Sequence, residues 1–71
     1  MAEKIEAEIV ANVLKVVAHE GQELAEGDTV VLLESMKMEI PVITESAGRL
    51  TRIAVKEGDV VQEHDLIAVL D

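Results

Sequence analysis

A single lysine set between two methionines is the most chemically distinctive feature of this sequence. Lys37 lies between Met36 and Met38, and residues 34–39 read ESMKME. A lysine amine, once neutral, is a nucleophile that an activated carboxylate can acylate. Methionine, in contrast, readily fills gaps in hydrophobic cores. On composition alone, this segment either has a function or is an ordinary surface amine between two core methionines.

The other polar residues offer weaker candidates for chemistry. His19 and His64 are distant in sequence and fall in turn-like segments, so we interpret them as solvated surface side chains. The chain has no cysteine, and two histidines alone do not make a Cys/His metal cluster. Asp28, Asp59 and Asp65 are predicted to be turn residues whose carboxylates bond nearby backbone amides. The sequence therefore predicts neither a metal site nor a nucleophile–base pair.

The composition limits the class of protein. A chain of 71 residues is enough for one domain, 1–71, and too short for a catalytic domain with a deep cleft. Hydrophobic residues make up 49% of it, aromatic residues are absent, and frequent Val, Ile and Thr favour strands. The net charge of −9 disfavours nucleic acid and anionic membranes as partners. No apolar run approaches the roughly 20 residues of a membrane span, and the polar N-terminus is no signal peptide. The expected compartment is the cytoplasm.

An internal repeat predicts how the chain positions Lys37. Residues 13–34 align without a gap on residues 50–71, at a shift of 37 positions. We infer two copies of one β-unit, related by an approximate two-fold axis. The same shift carries Lys37 beyond either end of the chain. The two-fold therefore predicts that Lys37 lies at one pole of the domain, with Met1 and Asp71 at the opposite pole.

Each copy of the repeat is predicted to consist of short strands separated by turns. Gly21 and Gly58 mark equivalent turns, because glycine adopts positive φ without steric cost. Pro41 indicates an edge strand, since proline has no amide hydrogen to donate to a neighbour. The nearly continuous apolar run 29–33 is interpreted as core. The predicted strands are 5–9, 13–18, 29–33, 50–55 and 66–70.

The size of the domain predicts that the chain reverses at Lys37. Residues 29–43 could pass for one strand, but fifteen residues would span about 50 Å. A domain of this length has a diameter of roughly 30 Å, so the chain must turn near Met36 and Lys37. Tight hairpins prefer Asn-Gly or Asp-Gly at such a turn. The conflict between local sequence and required geometry favours a functional role for this segment.

The segment Glu34-Ser35-Met36-Lys37-Met38 resembles the Glu-Ala-Met-Lys-Met attachment signature of biotin carboxyl carrier domains, members of the biotin/lipoyl attachment superfamily. The glycine-punctuated segments on both sides, 16–28 and 48–61, resemble that family as well. Ser35 replaces the more common Ala, one small residue for another. Ala11 and His64 stand where the family often has Gly, and these departures affect turn geometry rather than the attachment motif.

The resemblance implies a fold and a set of site residues. The implied fold is all-β: a flattened β-barrel or sandwich of two four-stranded antiparallel sheets with internal pseudo-two-fold symmetry. Lys37 would carry biotin through an amide bond. Met36 and Met38 would be flanking recognition residues, and Glu34 and Ser35 would complete the motif.

The resemblance also implies a function and partners. A biotin protein ligase would attach the cofactor. The domain, itself non-catalytic, would then carry carboxyl groups between the biotin carboxylase and carboxyltransferase subunits of a biotin-dependent carboxylase. An acyl-CoA carboxylase, the type that serves fatty acid biosynthesis, is the expected one.

Two alternatives to a biotin carrier remain open. A lipoyl carrier domain of a 2-oxo-acid dehydrogenase type complex is similar in fold, but typically has Asp-Lys-Ala around its lysine, so the methionines favour biotin. The other alternative is an unmodified interaction module whose Met-Lys-Met tip packs on a partner. The intact mass of the protein distinguishes the three.

Overall fold

The computed structural model describes residues 2–71 and contains eight strands. They form two four-stranded antiparallel sheets, in the orders β1-β8-β6-β3 and β5-β4-β2-β7. No helix in residues 2–71 is long and apolar enough to cross a membrane. The predicted all-β fold of two four-stranded sheets is confirmed. The strands are β1 (Glu3–Glu6), β2 (Ala11–Val16), β3 (Glu23–Leu24), β4 (Thr29–Ser35), β5 (Met38–Ile43), β6 (Gly48–Ile53), β7 (Val60–Val61) and β8 (Leu66–Leu70).

The pairing of the strands reproduces the two-fold predicted from the repeat. Leu33 lies opposite Ile40 in the β4–β5 ladder, and Leu70 lies opposite Glu3 in the β8–β1 ladder. Each residue of the first pair is 37 positions from its counterpart in the second. The β2–β4 and β6–β8 ladders match in the same way, with the pairs Val13↔Leu33 and Leu50↔Leu70. The internal symmetry is therefore confirmed at the level of register.

The hydrophobic core lies between the two sheets, and both halves of the chain build each sheet. β1 and β3 from the first half join β6 and β8 from the second, while β2 and β4 join β5 and β7. The predicted core run 29–33 supplies three fully buried side chains. The buried core residues are Ile5, Ala7, Ala11, Val13, Ala18, Leu24, Val30, Val31, Leu33, Leu50, Val61, Ile67, Ala68 and Leu70.

The first strand is shorter than its alternating pattern predicts. β1 ends at Glu6, and Ile9 is 39% exposed, so the predicted strand 5–9 is wrong beyond Glu6. The reason is that Ala7 leaves the β1–β8 ladder and bonds a turn instead. Its amide donates to the Asp65 carbonyl at 2.9 Å, and its carbonyl accepts from the His64 amide at 2.8 Å. Similarly, β2 and β6 each begin and end two residues before the predicted bounds 13–18 and 50–55.

The turns follow the sequence-based predictions. Gly21 and Gly58 adopt the same conformation, with φ of 91° and 92°. Each aspartate predicted to bond nearby backbone accepts a hydrogen bond from the amide three residues before it, at 2.9–3.0 Å. The pairs are Ala25 to Asp28, Lys56 to Asp59 and Gln62 to Asp65.

The dimensions of the molecule confirm the premise of the size argument. The radius of gyration is 11.0 Å, and the principal extents are 33 × 17 × 17 Å. A continuous strand over 29–43 would exceed the longest of these. Pro41 lies in β5, at the edge of its sheet, as predicted.

Candidate functional site

A two-residue hairpin turn presents Lys37. β4 and β5 pair up to Ser35 opposite Met38, so that Met36 and Lys37 alone close the turn. Both have positive φ, 54° for Met36 and 65° for Lys37. Positive φ at both central residues is the signature of a type I′ turn. The predicted reversal is confirmed at the two predicted residues.

The turn adopts a conformation that its residue types disfavour. Left-handed backbone costs a non-glycine residue about 1–2 kcal/mol, and the turn contains two such residues in succession. The β4–β5 ladder continues without a register shift from Ser35↔Met38 to Val31↔Val42. This regular pairing holds the strained turn in place, because the backbone on both sides is already fixed.

The side chains of the turn point away from the core. Met36 is 91% exposed and Met38 is 64% exposed. The interpretation of these methionines as core residues is therefore wrong. Lys37 is also exposed, and within residues 2–71 it forms no hydrogen bond or ion pair. Its amine is free to meet a reactant from solvent.

Two carboxylates lie at the base of the turn. Glu34 and Glu39 are directly opposite each other in the β4–β5 ladder, and like charges in this arrangement destabilise a hairpin. Glu34 and the adjacent Ser35 are half-buried, and Glu39 is exposed. The hairpin therefore carries concentrated negative charge beside its free lysine, which attracts a cationic surface.

The path of β2 indicates that the hairpin and the C-terminus lie at opposite ends of the strands. β2 begins beside the hairpin, where Asn12 is opposite Glu34, and runs away from it. Beyond β2, the Gly21 amide donates to the Leu50 carbonyl at 2.7 Å, and Leu50 is opposite Leu70. This agrees with the predicted position of Asp71. Met1 lies outside the described residues.

Comparison with known proteins identifies the family. The family described as "Biotin-requiring enzyme" matches residues 2–70. The chain belongs to this family. It is 65% identical over 71 residues to a biotinylated protein TB7.3 homolog of Mycolicibacterium smegmatis, covering 100% of both chains. It is 39% identical over 64 residues to a biotin-dependent acyl-coenzyme A carboxylase alpha3 subunit of Mycobacterium leprae, covering 90% of this chain and 11% of that protein.

A solved structure agrees with this assignment. The chain superposes on part of Kluyveromyces lactis urea carboxylase with a TM-score of 0.94 and 35% sequence identity, covering 100% of this chain and 6% of that one. Membership of the biotin-requiring family confirms the expectation that the cofactor is covalent biotin.

The residues of the hairpin fit a covalently attached biotin. Amide formation needs an amine that a second protein can reach, and Lys37 is exposed at the end of a narrow two-stranded hairpin. Its amine forms no hydrogen bond or ion pair within residues 2–71 that would have to break before it reacts. In the same part of the chain, no group of three His, Cys, Asp or Glu side chains is placed to hold a metal ion.

The departures from the biotin-requiring family's pattern are accommodated locally. His64 keeps the conformation that glycine usually provides, with φ of 76° beside 92° at its symmetry counterpart Gly27. His19 and His64 are both exposed, as predicted. One feature was missed by the sequence analysis: the exposed apolar residues are distributed unevenly between the two sheets. Only comparison of the two halves at equivalent positions could have revealed it.

Proposed function

We propose that this chain is a biotin carboxyl carrier domain in which Lys37 is the biotin acceptor. The observation that carries the proposal is the exposed, unpaired Lys37 amine at the end of a strained two-residue turn. Strained backbone clusters at functional sites, and this turn places two non-glycine residues in positive φ. Glu34, Ser35, Met36 and Met38 complete the motif that surrounds it.

The attachment reaction assigns separate tasks to the ligase and to this chain. The Lys37 Nζ attacks the acyl carbon of a biotin acyl-adenylate, an amide bond forms, AMP leaves, and the amine loses a proton. Because a lysine side chain is an ammonium ion at neutral pH, the ligase must accept that proton. The chain contributes a fixed hairpin that holds the amine at the pole of the domain, clear of the core.

The attached group supplies a ureido nitrogen that accepts and releases a carboxyl group. The chain itself acts as a tether, which raises the local concentration of the group at each site that it visits. The partners proposed are a biotin ligase and the biotin carboxylase and carboxyltransferase of a biotin-dependent carboxylase. Similarity to an acyl-coenzyme A carboxylase subunit supports an acyl-CoA as the carboxylated substrate. The proposed location is the cytoplasm, and the proposed role is non-catalytic.

Intact mass after incubation with a biotin ligase, biotin and MgATP tests the assignment. The wild-type chain should gain one biotinyl group and Lys37→Arg none, since the guanidinium is not a nucleophile at neutral pH. Lys56→Arg, on the second half, is the matched control and should be labelled like the wild type.

Two results would contradict the proposal. Biotin found on Lys4, Lys15 or Lys56 of the Lys37→Arg variant would remove Lys37 as the acceptor. A lipoyl group on the protein purified from its native cells would favour the lipoyl carrier instead.

A further inference from the structure

Within residues 2–71, strongly exposed large hydrophobic side chains are absent from one of the two sheets. Within residues 2–71, every large hydrophobic side chain that is strongly exposed lies on the β5-β4-β2-β7 sheet, in its hairpin, or in the segments flanking β2. None lies on the β1-β8-β6-β3 sheet. These residues are Ile9, Val10, Leu14, Val17, Met36, Met38, Ile43 and Val60. Scattered single residues of this kind are ordinary, whereas clustering on one face is typical of an interaction site.

The internal two-fold provides a control for this asymmetry. Val60 of β7 is 63% exposed, and its counterpart on the other sheet is Glu23. Glu23 forms an ion pair with Arg49 at 3.1 Å, whereas the equivalent pair is Val60 and Asn12. The backbone at the two places is equivalent, so the fold does not demand an exposed valine there.

The same contrast occurs at neighbouring positions. Leu14 of β2 is 41% exposed, and its counterpart is Thr51, whose hydroxyl donates to the Val69 carbonyl at 3.1 Å. Val10 is 61% exposed, and its counterpart is the small Ala47. At each matched position, the larger apolar side chain lies on the sheet that carries the hairpin or directly before its strand β2.

These residues adjoin the Lys37 hairpin. Val60 is opposite Asn12, which is opposite Glu34 at the base of the turn. Leu14 is the next exposed residue of β2 after Asn12, at the point where the register with β4 shifts. We call the surface made of Val10, Leu14, Met36, Met38 and Val60 the hairpin face.

We propose that the hairpin face is the docking surface for the biotin ligase. This inference rests on the proposed function. The carboxylase partners meet a biotinylated chain and can recognise the cofactor itself. The ligase meets a bare lysine and must select it over Lys4, Lys15 and Lys56, which are also exposed. Only the protein surface around Lys37 can supply that selection.

The composition of the hairpin face specifies the chemistry of the complementary surface. Its apolar residues lie on β7, on and before β2, and in the hairpin, and Glu34 and Glu39 lie at the base of the turn. The ligase should therefore present an apolar strip bordered by Lys or Arg. A second copy of this chain is a poor match, because each copy carries a net charge of −9.

Exchange of residues between symmetry-equivalent positions tests the proposal. The double variant Leu14→Thr, Val60→Glu gives the hairpin face the residues that the other sheet carries at the same places. The matched control on the other sheet is Thr51→Ala, Glu23→Gln. Initial rates of biotinylation are measured against carrier concentration, with biotin and MgATP saturating. The melting temperature of each variant verifies folding, and Val10→Ala is a milder variant if the double variant fails to fold.

The double variant should raise the KM of the ligase for the carrier by about tenfold, the loss expected when about 1.4 kcal/mol of contact is removed. Its kcat should change little, because Leu14 and Val60 lie on β2 and β7, outside the turn that holds the reacting amine. The KM of the ligase for the control variant should remain within about twofold of the wild-type value. Val10→Ala should raise KM by a smaller factor.

Three outcomes would overturn the proposal. A KM within twofold of wild type in a folded double variant would show that the ligase does not use this face. A raised KM for the biotin carboxylase alone would assign the face to that enzyme. If the wild-type chain sediments as a dimer and the double variant as a monomer, the hairpin face is a contact between two copies of the chain. Failure of the proposed function is distinct from all three, since the wild-type chain would then not be biotinylated at all.

Discussion

The two ends of the molecule are built from equivalent strands but are closed differently. At one end, β4 and β5 are joined by Met36 and Lys37, both with positive φ. At the other end, β8 and β1 pair in the same register without a turn between them. The core and the strand ladders therefore meet packing demands that both halves share. Two of the three non-glycine residues with positive φ in residues 2–71 lie in the connection that carries Lys37.

A smaller difference at the same two ends has a steric origin. Gly48 and Ala11 are symmetry counterparts at the starts of β6 and β2. A Cβ on Gly48 would come within 2.8 Å of the Asp71 carbonyl oxygen. Ala11 carries its methyl group in the core, 5% exposed. Gly48 avoids this contact, whereas the equivalent place at the hairpin end accommodates the methyl group of Ala11.

The largest effect is expected from paired truncations in the core. Leu33 and Leu70 are 1% and 2% exposed and occupy equivalent places. Leu33→Ala and Leu70→Ala should each lower the free energy of unfolding by about 2–5 kcal/mol, measured by urea denaturation. The two losses should agree within about 1 kcal/mol, because paired hydrogen bonds between Asp71 and Arg49, 2.8 and 2.9 Å, hold the C-terminal end. Losses that differ by more than that would break the equivalence of the halves.

An intermediate effect is expected from the equivalent glycine turns. A Cβ at Gly21 or Gly58 would have no atom within 4 Å, so the cost of Gly→Ala comes from the positive φ alone. Each substitution should cost about 1 kcal/mol or more, and the two costs should match. Gly48→Ala is an informative contrast, because its cost would come from a Cβ contact with the Asp71 carbonyl oxygen and not from a positive φ. A negligible cost at one of Gly21 and Gly58 only would show that the two turns are not equivalent.

The smallest effect is expected where the halves differ in residue type but agree in backbone. His64 has φ of 76° and Gly27, its counterpart, has φ of 92°. His64→Gly should relieve left-handed strain while giving the unfolded chain more freedom, for a net gain of roughly 0.5 kcal/mol. In a domain of this size, that corresponds to about 2–4 °C in Tm. The imidazole is exposed, and its Nδ1 is 3.9 Å from the Glu6 Oε1, so its loss removes little stabilising interaction. A lower Tm would mean that His64 stabilises the turn.

The sequence predicted the features that repeat or that size dictates. The alignment of Gly21 with Gly58 and of Leu33 with Leu70 predicted how the two halves correspond. The small diameter of the domain predicted the reversal at Lys37. The attachment motif, by resemblance, gave the family. Each of these signals is local or periodic, so it can be read without knowing which strands are neighbours.

The features that the sequence left unpredicted depend on tertiary contacts. Ile5, Ala7 and Ile9 alternate like one strand, but the turn before β8 binds the Ala7 backbone and ends β1 early. β3 and β7 are only two residues long, too short for a period to appear. Met36 and Met38 are core-type residues by composition, and only the hairpin geometry turns them to solvent. No tally of residue types distinguishes an exposed methionine from a buried one.

The exchange of strands between the halves constrains how the domain unfolds. Each sheet takes two strands from residues 1–37 and two from the remainder, so neither half can keep a sheet intact once the other has left. Partial opening would expose edges on both sheets at once, which favours a single cooperative transition over stepwise loss. Most strand pairings also join residues far apart in sequence, and such topologies fold slowly. A protease should therefore cleave the interior strands only after global unfolding, while the Lys37 turn remains accessible in the native state.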